Sequence, residues 1–201
     1  MKVIKKSIFW ILVPALALRL WGVSYGFPLF LVNDEPALVL GALKMIELKT
    51  LLPALHQDEF KKVLYYPPLP SYFYLLTLSP VIAVHYVYSG LPPLDEYKDA
   101  IALNPSFIWI AARVLNALMG VGVIFITYLI TRKVTSSERA SLLAALFLAL
   151  SFYHLQLSQI VRHWMPASLL LYASWLAAVG IRTSDSKKPY FLSGLWAGLA
   201  G

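Results

Sequence analysis

The sequence contains no cysteine and few charged residues. Of its 201 residues only 13% are Asp, Glu, Lys or Arg, whereas 59% are hydrophobic. The absence of cysteine excludes disulfide bonds and thiolate chemistry. The low charge content excludes a soluble domain, which would need a larger polar surface at this length. Together with a mean hydropathy of +0.69, the composition predicts an all-α, polytopic membrane protein.

Several functional motifs are also missing. The sequence has no internal repeat, no Gly-rich phosphate loop, no Ser-His-Asp grouping and no histidine spacing that specifies a transition metal. The net charge of +7 lies mostly in short clusters at the ends of apolar segments. Such clusters are typical of membrane topology signals and lipid-headgroup contacts. A nucleic-acid partner is therefore excluded.

The apolar segments are long enough to be helices that cross about 30 Å of hydrocarbon. They predict four spans and a truncated fifth, at about residues 7–25, 107–131, 138–154 and 166–182 and from about residue 190. Because the last segment is cut off too short to cross, we expect residues 1–201 to be the N-terminal part of a larger transmembrane domain. Lysines at positions 2, 5 and 6 precede the first span, which places the N-terminus in the cytoplasm.

Residues 72–88 form a further apolar stretch. If this stretch crossed the membrane, the basic turns at about residues 132–139 and 182–188 would both lie outside, against the positive-inside tendency. We therefore expect a juxtamembrane or re-entrant helix here, within a long external loop of about residues 32–106. The same loop is expected to hold an interfacial helix from Pro36 to about Leu48. The map predicts a multi-pass protein of the plasma or inner membrane, with its functional site on the extracytoplasmic side.

An acidic pair stands where the first span leaves the membrane, in the stretch Asn33-Asp34-Glu35-Pro36. One interpretation is structural: Asn33, Asp34 or Glu35 caps the interfacial helix, with Pro36 at its first position. The other is catalytic, because an ionised carboxylate beside an apolar cavity is a competent general base. The two are compatible, since a helix N-terminus keeps a carboxylate ionised and oriented.

Basic residues are predicted near the same membrane face. Arg113 lies near the outer end of the second span, and Arg162 and His163 lie in the second outer turn. Guanidinium groups bind phosphate through paired hydrogen bonds, so these residues suggest a pocket for a phosphate-bearing lipid. Arg19 lies deep in the first span, where an arginine normally faces the bundle interior or a cavity.

No cofactor is specified by the sequence. A carboxylate-bound divalent cation such as Mg²⁺ or Mn²⁺ at Asp34 and Glu35 is left open, because hard cations take oxygen ligands.

In order along the chain, a set of short motifs resembles the GT-C superfamily of glycosyltransferases that use polyprenyl-phosphate sugars. The resemblance is to the branch of the protein O-mannosyltransferases and the lipid A aminoarabinose transferases. It extends over essentially the whole chain. The motifs are Leu18-Arg19-Leu20, Asn33-Asp34-Glu35, Tyr66-Pro67-Pro68-Leu69, the run from Ala112 to Gly120 that includes Arg113 and Asn116, the turn from Gln156 to Pro166, and the small-residue run from Gly194 to Gly201.

The resemblance implies a GT-C-like helix bundle and an inverting sugar transfer at the external membrane face. The donor would be a polyprenyl-phosphate-linked hexose or aminosugar, and the acceptor a protein, lipid or glycan. Asp34 would act as general base and Glu35 would help to position it. Substrate-binding residues would be Arg162, His163, Arg113 and Tyr66. The family often has an acid in the second outer turn, and this sequence has none between Glu138 and Asp185.

Two other functions remain open at this point. A transporter or flippase-like protein for a lipid-linked anionic substrate would also place charges among spans, and it predicts a pseudo-symmetric second half. A structural subunit of a membrane complex would pair the charges internally. Oligomeric state, sugar and acceptor are not specified by the residues.

Overall fold

The computed structural model describes residues 4–27, 35–61, 63, 68–181 and 186–200. Over these residues the chain is all-α and contains no strand, which confirms the predicted fold class. The helices are α1 (Ile4–Leu20), α2 (Pro36–Leu48), α3 (Gln57–Phe60), α4 (Leu69–Tyr88), α5 (Leu94–Leu103), α6 (Ser106–Thr135), α7 (Glu138–Leu150), α8 (Phe152–Gln159), α9 (Trp164–Ile181) and α10 (Lys188–Ala200). A short 3-10 turn, Pro53–His56, precedes α3.

Among the described helices, α6 and α9 are each long and apolar enough to cross a membrane. Helices α7 and α8 make a third candidate if they count as one span, although they are bent by 60° at Ser151. Helix α1 is a shorter apolar helix and ends at Leu20, five residues before the predicted end of the first span. The assignment of membrane crossings, and with it the predicted sidedness, stays a prediction.

Packing divides the chain into two compact units. The first comprises Met1–Trp21, Asn116–Gln159 and Trp164–Gly201, and the second comprises Gly22–Leu115 and Ile160–His163. In the first unit, a buried apolar cluster joins α1, α6 and α7 through residues such as Ile8, Ile124 and Ala145. In the second unit, α2 packs on α4, and Val39, Tyr74 and Trp109 belong to its core.

The break between α7 and α8 was not expected, because residues 138–159 contain neither proline nor glycine. The break between the two helices is stabilised by Arg19, which is fully buried in the first unit. The guanidinium donates to the Ala149 carbonyl at the end of α7, at 3.4 and 3.5 Å, and to His154 Nδ1 at 2.8 Å. A cation beside the last carbonyls of a helix is favourable, because those groups carry a partial negative charge.

Arg19 therefore holds the first turn of α8 against the end of α7. Its Nε also donates to Ser158 Oγ at 3.3 Å. Gly120 of α6 packs directly on this contact, since a Cβ atom there would collide with Ser158 and would lie 3.3 Å from Arg19 Nε. Arg19, which the sequence places deep in the first predicted span, is thus a bridge between α1, α7 and α8, and glycine is required where α6 approaches it.

Helix α2 begins as the sequence predicted. Pro36 occupies the first helical position, where a missing N–H has no cost. Glu35 occupies the N-cap position, but its side chain makes no capping hydrogen bond to α2. The capping interpretation is therefore wrong for Glu35, whose carboxylate binds elsewhere.

Candidate functional site

Glu35 is the centre of a buried polar cluster in the second unit. Its side chain is only 1% exposed, and both carboxylate oxygens accept hydrogen bonds. Arg113 Nε donates to Oε1 at 2.9 Å, and Arg113 Nη2 donates to Oε2 at 2.6 Å. The backbone N–H of Val161 donates to Oε1 at 2.9 Å. Such paired, charge-assisted bonds are short and directional, so they orient both side chains. We call Glu35, Arg113 and Val161 the glutamate clamp.

Arg113 also orders the chain that follows α1. Its Nη1 donates to the carbonyls of Val23 and Tyr25, at 2.8 and 2.7 Å. The guanidinium carbon lies 4.2 Å from the centre of the Phe27 ring, a cation–π contact. Four N–H bonds and one ring face thus surround a single guanidinium. Arg113 is therefore a structural cation in this arrangement, whereas the sequence suggested a phosphate ligand.

The clamp joins segments that are distant in the sequence. Arg113 lies 78 residues from Glu35, and Val161 lies 126 residues from it. The cost of removing an acid and an arginine from water is high and is offset only when the hydrogen bonding is nearly complete. Here both oxygens of Glu35 have partners. A pair of this kind contributes little net stability, but it determines which segments meet.

Tyr74 was not among the site residues predicted from the sequence. It is fully buried in the core of the second unit, on α4. Burial raises the pKa of its hydroxyl, and the negative charge of Glu35 raises it further. The hydroxyl therefore stays protonated at any physiological pH. No pattern in the sequence distinguishes Tyr74 from the tyrosines at positions 72 and 86.

Arg162 and His163 follow the clamp directly, because Val161 precedes them in the chain. Both side chains are half-buried. Burial lowers the pKa of His163 from its ordinary value of 6.5, and the charge of Arg162 lowers it further. His163 is therefore largely neutral near pH 7, and Arg162 carries the positive charge of this pair.

The other predicted site residues are Asp34 and Tyr66, and both lie outside the described residues. Asp34 is nevertheless adjacent in sequence to Glu35, whose position the clamp determines. No group of three metal-ligating side chains occurs in the part of the chain that the structure describes. Because both Glu35 oxygens bind N–H groups, the predicted Mg²⁺ or Mn²⁺ site would depend on Asp34 and stays a prediction.

These observations define the chain as an all-α integral membrane protein. Residues 58–201 match the family model described as dolichyl-phosphate-mannose-protein mannosyltransferase, and this match covers well over half of the chain. The chain belongs to this family, whose domain is of the GT-C type, and it is a membrane glycosyltransferase. The resemblance read from the sequence is confirmed.

The searches of curated proteins and of solved structures found no match to the chain. The family match begins at residue 58, so it includes Arg113, Arg162 and His163 but neither Asp34 nor Glu35.

Proposed function

We propose that this chain carries part of the active site of a mannosyltransferase that moves mannose from a polyprenyl phosphate to a protein hydroxyl at the extracytoplasmic face of the membrane. The match of residues 58–201 to the dolichyl-phosphate-mannose-protein mannosyltransferase family carries the proposal. The glutamate clamp supports it, because it brings the chain beside Asp34 to the chain beside Arg162. No contact of the described residues favours the transporter.

In the proposed reaction the acceptor oxygen attacks the anomeric carbon of the sugar from the face opposite the phosphate. A bond forms between the acceptor oxygen and that carbon, while the bond from the carbon to the phosphate oxygen breaks. The electron pair of the broken bond leaves with the lipid phosphate. The acceptor proton passes to a base, and we assign that role to Asp34. The configuration at the anomeric carbon is inverted.

Asp34 suits the role of base because a carboxylate can accept the proton as the acceptor oxygen becomes more acidic in the transition state. Its neighbour Glu35 is unsuited to the role, since both of its oxygens already accept hydrogen bonds from Arg113 and Val161. We therefore assign Glu35 as a positioning residue. In this proposal the Asp34 carboxylate reacts, and the Glu35 carboxylate has a structural role.

The departing phosphate gains negative charge, which fixed cations stabilise strongly where water is scarce. Arg162 is the residue to which we assign this role, because it follows Val161 of the clamp and a guanidinium binds phosphate through paired hydrogen bonds. His163 is the weaker candidate, since burial and Arg162 lower its pKa. Arg113 is assigned to the clamp, although the resemblance implied that it binds substrate. Tyr66 is assigned to the substrate, as the resemblance implies.

Substitutions of Arg162 and His163 are expected to lower the rate of transfer by different amounts. Arg162→Gln is expected to lower kcat/KM by about 10², the usual effect of removing one charge-stabilising donor. His163→Gln is expected to lower it less than about threefold near pH 7, because removing a neutral imidazole removes no charge. Initial rates with saturating acceptor would measure both.

The pH profile supplies the control for that comparison. Because the pKa of His163 lies below its ordinary 6.5, the wild-type and His163→Gln profiles should run parallel above that value. An inflection near pH 6.5 that is present in the wild type and absent from His163→Gln would contradict the neutral assignment.

The proposed function is tested by supplying the purified full-length protein with radiolabelled polyprenyl-phosphate sugars and a Ser/Thr-containing peptide. We expect label to reach the peptide from the mannose donor, and not from the glucose or aminoarabinose donors. Movement of the intact lipid-linked sugar across a sealed vesicle, with no label on any acceptor, would overturn the proposal in favour of a transporter.

A further inference from the structure

A second charged site lies in the first unit, where α6 ends, α9 ends and α10 begins. It is a cleft of about 400 Å³. Its polar rim carries Lys133 from α6 and Lys188 from α10, and its walls include Leu176 and Gly180 from α9 and Pro189 and Leu192 from α10. We call it the lysine cleft. Neither the family match nor the proposed reaction assigns it a role.

The two lysines give the described part of the cleft a net positive charge. Within the described residues neither Lys133 nor Lys188 has an ion-pair partner. The acid at the start of α7, Glu138, is already engaged, because it pairs with Arg132 at 3.1 Å and accepts a hydrogen bond from Tyr128 at 3.0 Å. Glu138 is therefore not available to pair with the lysines.

The backbone adds positive potential at the same place. Lys188 is the first residue of α10, and its N–H donates to Ser186 Oγ at 3.2 Å. A helix N-terminus carries a partial positive charge and favours anions. Lys133 Nζ lies 3.9 Å from the position that a Cβ atom on Gly180 would take, so the ammonium group lies close over the α9 backbone at a residue without a side chain.

Below the rim the surface is apolar. Leu176, Pro189 and Leu192 line the cleft, and α10 continues from it with the exposed side chains of Phe191 and Leu195. A soluble anion would use only the rim. A ligand with an anionic head and an apolar tail would use the rim and the helix face together.

We infer that the lysine cleft binds an anionic phospholipid, with its phosphate between Lys133 and Lys188 and an acyl chain along the apolar face of α10. Clusters of basic residues between transmembrane helices are suited to such headgroups. The positive-inside tendency assigns these basic ends to the cytoplasmic leaflet, where anionic lipids are enriched. The site is thus predicted at the cytoplasmic leaflet, and it does not depend on sugar transfer.

The experiment is native mass spectrometry of the purified full-length protein with an equimolar mixture of phosphatidylglycerol and phosphatidylcholine. We expect the wild type to retain phosphatidylglycerol preferentially. The variant Lys133→Gln/Lys188→Gln should lose that preference, because removing each lysine should lower the affinity for phosphatidylglycerol by about fivefold. Lys133→Arg/Lys188→Arg should keep it, because guanidinium also binds phosphate.

The matched control is Lys61→Gln/Lys98→Gln, which removes the same charge from two exposed lysines of the second unit. This control should retain the wild-type preference. The inference is overturned by equal retention of the two lipids by the wild type, or by an equal loss in the control. It is also overturned if millimolar inorganic phosphate displaces the phosphatidylglycerol, which would indicate a site for small anions. If the glutamine variant fails to fold, loss of the preference in the arginine variant contradicts the inference.

Discussion

Asp34→Asn is expected to reduce mannose transfer by about 10² to 10⁴-fold, the range associated with loss of a general base. The amide keeps the size of the side chain but cannot accept the acceptor proton at neutral pH. The effect should fall on kcat, because the carboxylate acts mainly as the acceptor oxygen loses its proton. Single-turnover rates with polyprenyl-phosphate mannose and a Ser/Thr peptide would measure it.

Asp99→Asn is the matched control for that experiment. Asp99 is an exposed acid on α5, and its replacement should leave transfer at the wild-type rate. Asp34→Asn should also leave thermal unfolding close to that of the wild type. If Asp34→Asn transfers mannose as fast as the wild type does, the base is another residue, while the family assignment stands.

Glu35→Gln is expected to destabilise the protein by about 3–5 kcal/mol, which is typical when one partner of a buried ion pair is removed. The loss arises because Arg113 remains charged and buried without its carboxylate. Transfer should fall as well, since the chain beside Asp34 and the turn that carries Arg162 lose their common anchor. Thermal unfolding in a defined detergent and transfer rates at a permissive temperature would measure the two effects separately.

An exposed ion pair provides the control for Glu35. Lys98 pairs with Asp95 at 3.3 Å, with both side chains largely exposed, and Lys98→Gln should cost less than about 1 kcal/mol. The double variant Glu35→Gln/Arg113→Gln should be less destabilised than the sum of its single variants, because neither charge is left alone. A Glu35→Gln protein that unfolds like the wild type yet loses transfer would contradict the positioning role and indicate direct catalysis.

The sequence was a good guide to helices whose ends carry chemical signals. Pro36 starts α2 as predicted. Ser137 caps α7 by accepting a hydrogen bond from the Ala140 N–H at 3.3 Å, and Glu138 stands in its first turn. These signals are local, because they involve residues within one turn of each other. The sequence also placed α6 within a few residues, since a long apolar run has few alternatives to a helix in a membrane protein.

It failed where a distant residue decides the local structure. The sequence predicted one straight apolar span at about residues 138–154, and no proline or glycine marks the bend at Ser151. Arg19 stabilises the bend, because its guanidinium donates hydrogen bonds to the Ala149 carbonyl and to His154 Nδ1. Hydropathy counts the polarity of each residue but does not identify its partner, so it could not predict this contact.

The acidic pair shows the same difference between what local sequence predicts and what distant contacts decide. Composition and apolar spacing were sufficient to predict a helical membrane protein, because burial in lipid and helix periodicity act on each segment separately. The order of the short motifs supplied the resemblance to the GT-C type. Only the tertiary structure decided that the Glu35 carboxylate accepts hydrogen bonds from Arg113 and from the Val161 N–H. Arg113 and Val161 are separated from Glu35 by 78 and 126 positions in the sequence. The three residues therefore form a buried, hydrogen-bonded cluster only after the chain has folded.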